Sequence, residues 1–269
     1  MRLKLLYDVF SVEARKLMSY RADFWFNTLI GSVAQFVLAY SLWSAILSEP
    51  GQTVEGYSLD GIVLYYVLVI LLGRLVSGPQ NPTDLAQEVY DGTLSRYLLY
   101  PANYFAIKFA QRTGLLVPSL VQAVALGAIY FLFVPLPEGI SITPLQIAMG
   151  LGSLALANLL YFSLMALVQL VSFWADNVWS LVVMTVFVSR LLGGSWIPLD
   201  TFPDAVRPWL RALPFEYLFG FPIDTIMGRV EPGAWLAGCV ISLAWSLALG
   251  FATRVVWRRG MSQYTGVGI

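Results

Sequence analysis

The sequence predicts an all-α membrane protein of six transmembrane helices with both termini in the cytoplasm. Three observations carry that prediction: long apolar runs without charge, a scarcity of charge overall, and basic residues confined to one side of the runs. Apolar residues make up 58% of the 269-residue chain and charged residues 12%, against roughly 25% charged in an ordinary soluble domain. So little charge cannot cover a water-facing surface, and lipid is the expected solvent. Nine tryptophans suit a protein that anchors rings at two membrane interfaces.

The apolar runs place spans at 24–47, 57–77, 115–136, 145–174, 178–196 and 234–257, within one transmembrane domain over 1–269. The second is the shortest in its uncharged core, Gly61–Gly73, and reaches spanning length only if Arg74 snorkels at its end. The runs are continuously apolar rather than alternating, which argues against a barrel. The first follows a charged stretch and is longer than a signal core, so no cleaved signal is expected.

Orientation comes from the basic residues. Arg2, Lys4, Arg15, Lys16 and Arg21 precede the first span; Arg74, Arg96, Lys108 and Arg112 lie between the second and third; Arg254, Arg258 and Arg259 follow the sixth. The loop after the first span holds Glu49, Glu55 and Asp60 with no Lys or Arg. Twelve of the 16 basic residues therefore share a side if six helices alternate, and the positive-inside rule makes that side the cytoplasm. The setting is read as a bacterial cytoplasmic (inner) membrane, multi-pass.

Three segments are not simple spans. Residues 1–23 carry Leu5, Leu6, Val9, Phe10, Val12 and Leu17 on a rough helical stripe, which reads as an amphipathic interfacial helix. In the loop after the second span, Asn81-Pro82 can start a helix, Asp84 and Gln87 have capping-box spacing, Leu85 and Val89 share a face, and Gly92 can end it in a left-handed conformation. The product is a short helix over 82–92. Between the fifth and sixth spans, 197–228 is apolar, aromatic and broken by Pro198, Pro203, Pro208, Pro214 and Pro222. Broken backbone at membrane depth is tolerated only against protein or along a cavity, so this stretch is read as a re-entrant gate on the outer side. Its candidate gate or path residues are Arg190, Trp196, Pro198, Phe202, Pro214, Phe215 and Glu216.

Arg190 lies about twelve residues into the fifth span, where a charge costs at least ~2.5–3.5 kcal/mol on insertion scales. It should face protein or water, either as a substrate contact or in a pair with Glu216 or Asp224. Gln35, Gln122, Asn158 and Gln169 are expected to bond between helices or to line a path. Ala234, Gly238, Ser242, Ser246 and Gly250 form a small-residue ladder that lets another helix approach.

The chain has no histidine, which removes Ser-His-Asp and Cys-His nucleophilic catalysis and nearly every zinc site. Cys239 is the only cysteine and reads as packing. No catalytic or metal-ligating residue is expected, and a net charge of zero gives no case for nucleic acid. No carboxylate lies in an apolar core, which weakens an ion-coupled transporter reading.

The stretch Glu88-Val89-Tyr90-Asp91-Gly92-Thr93-Leu94-Ser95-Arg96-Tyr97-Leu98-Leu99-Tyr100-Pro101 resembles the acidic-x-x-x-Gly-x-Leu…Leu-x-x-Pro pattern of the ABC-2 family of exporter permeases. Gly193-Gly194-Ser195-Trp196-Ile197-Pro198, Phe202-Pro203 and Leu213-Pro214-Phe215 are similar to that family's fifth-span ending, and the tail Gln263–Gly268 to one branch of its six-helix members. The resemblance implies a permease that exports a substrate with energy from ATP. It implies two copies of a cytoplasmic ATP-binding-cassette ATPase, a second permease, identical or related, and the lipid bilayer as surroundings. The loop helix becomes a coupling helix, and Asp84, Leu85, Gln87, Glu88, Val89, Tyr90, Asp91 and Gly92 become its ATPase-coupling residues. ATP and Mg would belong to the ATPase, with no cofactor on this chain. The residues agree, since the chain has no G-x-x-x-x-G-K-[ST] loop. The apolar outer segment favours an amphipathic or lipid-like cargo. Two other classes stand beside this one: an ion- or proton-coupled secondary transporter or channel, and an integral membrane lipid-modifying enzyme. Asp91-Gly92 starts like a lipid headgroup transferase but lacks the following Asp-x-x-x-Asp pair.

Overall fold

The computed structural model describes residues 2–19, 21–49, 52–78, 84–137 and 139–265. Those residues are helical and carry no strand beyond an isolated bridge between Val54 and Tyr57. Eleven α-helices follow in order among them: α1 (Arg2–Ser19), α2 (Arg21–Ile46), α3 (Leu59–Ser77), α4 (Asp84–Tyr90), α5 (Leu94–Leu98), α6 (Tyr104–Phe133), α7 (Pro144–Gln169), α8 (Trp179–Leu192), α9 (Arg207–Ala212), α10 (Gly220–Ile226) and α11 (Pro232–Met261). Five helices are long and apolar enough to cross a membrane: α2, α3, α6, α7 with its 3-10 extension to Phe173, and α11. The apolar helix α8 is shorter. Its 14 residues rise only about 21 Å, less than a hydrocarbon core of about 30 Å. The chain is a multi-pass, all-α membrane protein.

Several helix ends differ from the apolar runs, each for a local reason. The third apolar run begins at 115, but α6 begins at Tyr104, where Asn103 caps it by accepting from the Phe105 and Ala106 amides at 2.9 and 3.4 Å. Lys108 and Arg112 interrupt the apolar run without interrupting the helix. In α7, Thr143 and Gln146 form a reciprocal capping box at the start, which fixes the N-terminus one residue before the apolar run. The helix α8 stops at Leu192 because Gly193-Gly194 turns the chain there, Gly194 at φ +83°. The expected stretch 178–196 is therefore helical over only its first part. Tyr57 lies outside α3, which Ser58 caps through the Gly61 amide. Pro82, the expected start of the loop helix, lies outside the described residues; the described helix begins at Asp84.

The core is built around α3 and α7, whose spans are the most buried of the set. Tyr65, Ile62, Leu64, Ala157 and Leu160 have no exposed surface, and α10 closes the same cluster with Leu218, Phe219 and Ile223 around it. Small residues make the close approaches. A Cβ on Gly238 of α11 would lie 2.3 Å from the Phe221 ring of α10, and one on Gly150 of α7 would lie 2.1 Å from Ile226. The small-residue ladder of the last span thus serves packing within the chain over Gly238, Ser242 and Ser246, all buried. Cys239 packs at the edge of the same core. The stripe of α1 packs along α6: a Cβ on Gly114 would meet the Phe10 carbonyl at 2.4 Å. Val12, on the expected stripe, is exposed instead, as are Leu3 and Tyr7.

Gly194 combines positive φ with a Tyr65 hydroxyl 2.8 Å from where its Cβ would stand. Replacing it with Ala should cost about 1–3 kcal/mol. Gly250 lies in a helix with nothing near its Cβ position, so Gly250→Ala should be neutral or stabilising by up to ~1 kcal/mol. Thermal unfolding of the two variants in one detergent checks the contrast.

Candidate functional site

Two contiguous cavities form a cleft between α2, α3 and the end of α8. The first, about 150 Å³, is lined by Ser32, Gln35, Gly73, Arg74, Ser77, Arg190 and Ser195 among others. The second, about 250 Å³, continues past Gln35, Arg190 and Ser195 to Leu38, Leu42, Tyr66 and Trp196. Along α3 the lining runs from Tyr66 to Ser77, about 16 Å of helix rise. One half of the cleft is therefore polar and the other apolar. The helices that flank the cleft also carry exposed apolar side chains, Ile30, Val33, Val37 and Leu38 of α2 and Met184 and Phe187 of α8.

Arg190 stands where the two halves meet. Among the described residues its guanidinium has no ion pair or side-chain hydrogen bond; its carbonyl accepts from the Ser195 and Trp196 amides at 3.0 and 3.3 Å. The expected pairing with Glu216 or Asp224 is not made. Glu216 lies 3.9 Å from Arg211, and Asp224 accepts from the Tyr57 hydroxyl at 3.1 Å. Arg74, read from sequence as a snorkelling end, instead lines the cleft and bonds to the Thr28 hydroxyl, which donates to Gln122 at 3.2 Å. The four spanning-region amides separate by role. Gln122 and Asn158 bond between helices, Asn158 to the Leu75 carbonyl at 2.8 Å, whereas Gln35 lines the cleft.

The fourth amide, Gln169, positions α4. Its Oε1 accepts from the Leu85 and Ala86 amides at 2.9 and 3.4 Å. Those are first-turn N–H groups with no partner inside the helix, and burial without a partner would cost them about 1–3 kcal/mol. Glu88, also buried, accepts from the Tyr104 hydroxyl at 2.6 Å and from Lys108 at 2.5 Å. Leu85 and Val89 pack with Leu94, Tyr104 and Leu170. Gly92 takes φ +70°, as its place after the helix predicted, and its carbonyl accepts from the Tyr264 hydroxyl at 2.7 Å. Gln87 reaches forward to Asp91 at 2.9 Å rather than back in a capping box. The eight loop-helix residues divide in two. Leu85, Glu88, Val89 and Gly92 face the spans, while Asp84, Gln87, Tyr90 and Asp91 are exposed.

At the other end of the molecule the proline-broken segment is pinned to α3. Tyr65 donates to the Gly194 carbonyl at 2.7 Å and Tyr66 to the Trp196 carbonyl at 2.5 Å. Trp196 lines the cleft; Pro198, Phe202, Pro214, Phe215 and Glu216 do not. Pro214 is buried, and Phe215 packs against the core beside α10. Pro198 precedes a 3-10 turn that Phe202 follows. Three arginines tie the segment together: Arg207 with Glu55 and Asp204, Arg211 with Asp200, and Arg229 with Asp200 at 3.2 Å. Arg229 also stacks 3.6 Å from the centre of the Tyr57 ring. Sequence reasoning missed this network, Tyr65, Tyr66 and Gln169's capping role. Such partners lie far apart in the chain and leave no spacing signal.

Residues 33–268 match the family described as ABC-2 family transporter protein. The chain belongs to that family. The match covers α4, the pinned segment and the cleft from Gln35 onward. A comparison with curated proteins finds no match. Among the described residues of this ABC-2 member, no three His, Cys, Asp or Glu side chains converge as a metal site would require.

Burial pushes the Asp224 carboxyl up to about 7, Asp200 adding to the rise while Arg229 and the Tyr57 hydroxyl oppose it. Burial likewise raises Glu216 to about 7 against Arg211. Unfolded carboxyls titrate near ~3.9 and ~4.3, so between pH ~4 and ~7 the folded chain holds more protons than the unfolded one. Stability from these groups is full below that window and falls as pH rises through it. Hydrogen exchange of 199–227 should be better protected at pH 5.5 than at pH 8, and Asp224→Asn should flatten the difference.

Proposed function

We propose that the chain is the membrane subunit of an ATP-driven exporter, paired with a second permease and resting on two copies of a separate ATP-binding-cassette ATPase. On this reading six helices span a bacterial inner membrane, α8 with its following turn completing the fifth. Both termini and α4 face the cytoplasm, and the pinned segment closes the outer side as the exit gate. The cargo is amphipathic or lipid-like and moves along the cleft. The ATPase supplies ATP and Mg; this chain carries neither.

The two-faced α4 is the observation that carries the reading. A solvated connector has no need of a buried face. Here Gln169, Tyr104, Lys108 and Tyr264 fix one side of the helix and turn to spans and tail, while Tyr90, Asp91, Gln87 and Asp84 present a polar and aromatic side to water. An element so built transmits a push on its exposed side to α6 and α7 instead of absorbing it. Family membership supports the partner's class, since ABC-2 permeases work with such ATPases. The cleft, half polar and half apolar, supports an amphipathic cargo. A channel or an ion-coupled transporter gives no reason for a rigidly seated loop helix with a free outer face.

Co-expression with the ATPase, purification in nanodiscs and an ATPase assay test this. Tyr90→Ala with Asp91→Ala should reduce ATPase retention by about tenfold or more while the melting temperature stays unchanged. Leu85→Ala, on the buried face, should instead cost about 2–5 kcal/mol of stability. Substrate flux by the chain with no ATPase bound would overturn the reading.

A further inference from the structure

The cleft holds two guanidiniums, Arg74 and Arg190, and no carboxylate lines either of its halves. Arg190 has no ion pair or side-chain hydrogen bond among the described residues, and the partner of Arg74 is a neutral hydroxyl, Thr28. A charge held in a spanning region without a counter-charge is costly and marks a functional contact by default. Here no compensating carboxylate lines the cleft among the described residues. Hydroxyls of Ser32 and Ser195 and the amide of Gln35 share the same half of the cleft, with Ser77, whose own proton goes to the Gly73 carbonyl at 3.0 Å. This is a donor-rich wall, and Arg presents a planar fork that fits phosphate or carboxylate oxygens in pairs.

The other half is apolar and ends at Trp196. A cavity of about 150 Å³ has room for roughly five waters at ~30 Å³ each, enough to admit one tetrahedral anionic headgroup. The adjoining 250 Å³ accepts the first segment of a chain but no second large polar group. An uncharged or cationic head would leave Arg190 unpaired or repelled in a low-dielectric site, where the electrostatic difference is larger than in water.

We propose that the cleft selects an anionic amphiphile, its phosphate- or carboxylate-type headgroup held between Arg74 and Arg190 and its apolar chain laid toward Trp196. The inference rests on the cleft being the cargo path of the proposed exporter and adds the sign of the cargo's charge. It also assigns Arg190 as a specificity-determining residue and Arg74, held by Thr28, as its partner across the polar half.

Binding to the full chain in phosphatidylcholine nanodiscs, with and without the co-expressed ATPase, tests it. The probes are chain-brominated dodecyl phosphate, dodecyl phosphocholine and dodecyl trimethylammonium, read by quenching of tryptophan fluorescence. Dodecyl phosphate should bind saturably and about tenfold or more tighter than either other probe, a difference of ~1.4 kcal/mol. Arg190→Gln should lose about that factor, Arg190→Lys should keep most of it, and Trp196→Phe should remove the quenching. Arg254→Gln, outside the cleft, should change nothing. The melting temperature of Arg190→Gln should hold or rise, because among the described residues its side chain has no ion pair or hydrogen bond to lose; a fall of several degrees, as for a structural ion pair, would overturn the assignment. Equal affinity for the three probes, or unchanged binding by Arg190→Gln, would also overturn it. The two levels separate cleanly. Selective binding with no ATPase retained contradicts the exporter and leaves the anion site standing; a retained ATPase with unselective binding does the reverse.

Discussion

The Gln169 side chain accepts hydrogen bonds from the first amides of α4, and the seat of that helix depends on it. A seven-residue helix has no stability of its own in water. It persists here because its open N-terminus is closed by a spanning helix, its Glu88 is closed by Tyr104 and Lys108 of α6, and Leu85 and Val89 are buried. Each of these groups would be costly to leave unpaired, so the loop helix moves with α6 and α7 or not at all. The Tyr264 hydroxyl adds the tail to the same seat by bonding to Gly92.

The far end of the molecule is held by the same logic with different groups. A turn at Gly193-Gly194 exposes carbonyls that need donors, and Tyr65 and Tyr66 of α3 supply them. Since α3 also carries Val69, Ile70 and Arg74 along the cleft, it joins the pinned segment, the cleft and the core in one helix. Movement of α3 or of its neighbours against α2 and α8 changes the cleft and the pinned turn together. The exposed apolar faces of α2 and α8 leave that side of the cleft to be completed by something apolar.

Much of this was legible in the sequence. Apolar runs underlie each of the five helices long and apolar enough to span, and the left-handed Gly92 followed from its position after the short loop helix. Charge scarcity and basic placement pointed to a membrane protein, and the motif resemblance over Glu88–Pro101 and Gly193–Phe215 pointed to the family that the residue 33–268 match bears out. Other features were not legible. The start of α6 was hidden because Lys108 and Arg112 break the apolar run but are satisfied by Glu88 and the Val76 carbonyl. Arg190 read as a substrate contact or as half of an ion pair, yet the two acids named for that pair, Glu216 and Asp224, go to Arg211 and Tyr57. The candidate gate residues divided for a related reason: proline and aromatic content marks a broken segment but cannot say which rings face the cavity, and of the candidate rings Trp196, Phe202 and Phe215 it is Trp196 that does, while Phe219, not among the candidates, lines the other half. Long-range polar partners are set by packing, and composition carries no record of them.

Coupling through a rigidly seated α4 is most directly tested by distance measurement between spin labels in the assembled complex. One label goes on the exposed face of α4 at Gln87; its partners are placed in separate samples on α6 at Gln111 and on α8 at Met184. With the ATPase trapped in its ATP-bound state, the α4–α6 distance should stay fixed while the α4–α8 distance shifts by several ångströms. A changed α4–α6 distance beside an unchanged α4–α8 distance would mean that the loop helix yields on its own, and would contradict the account.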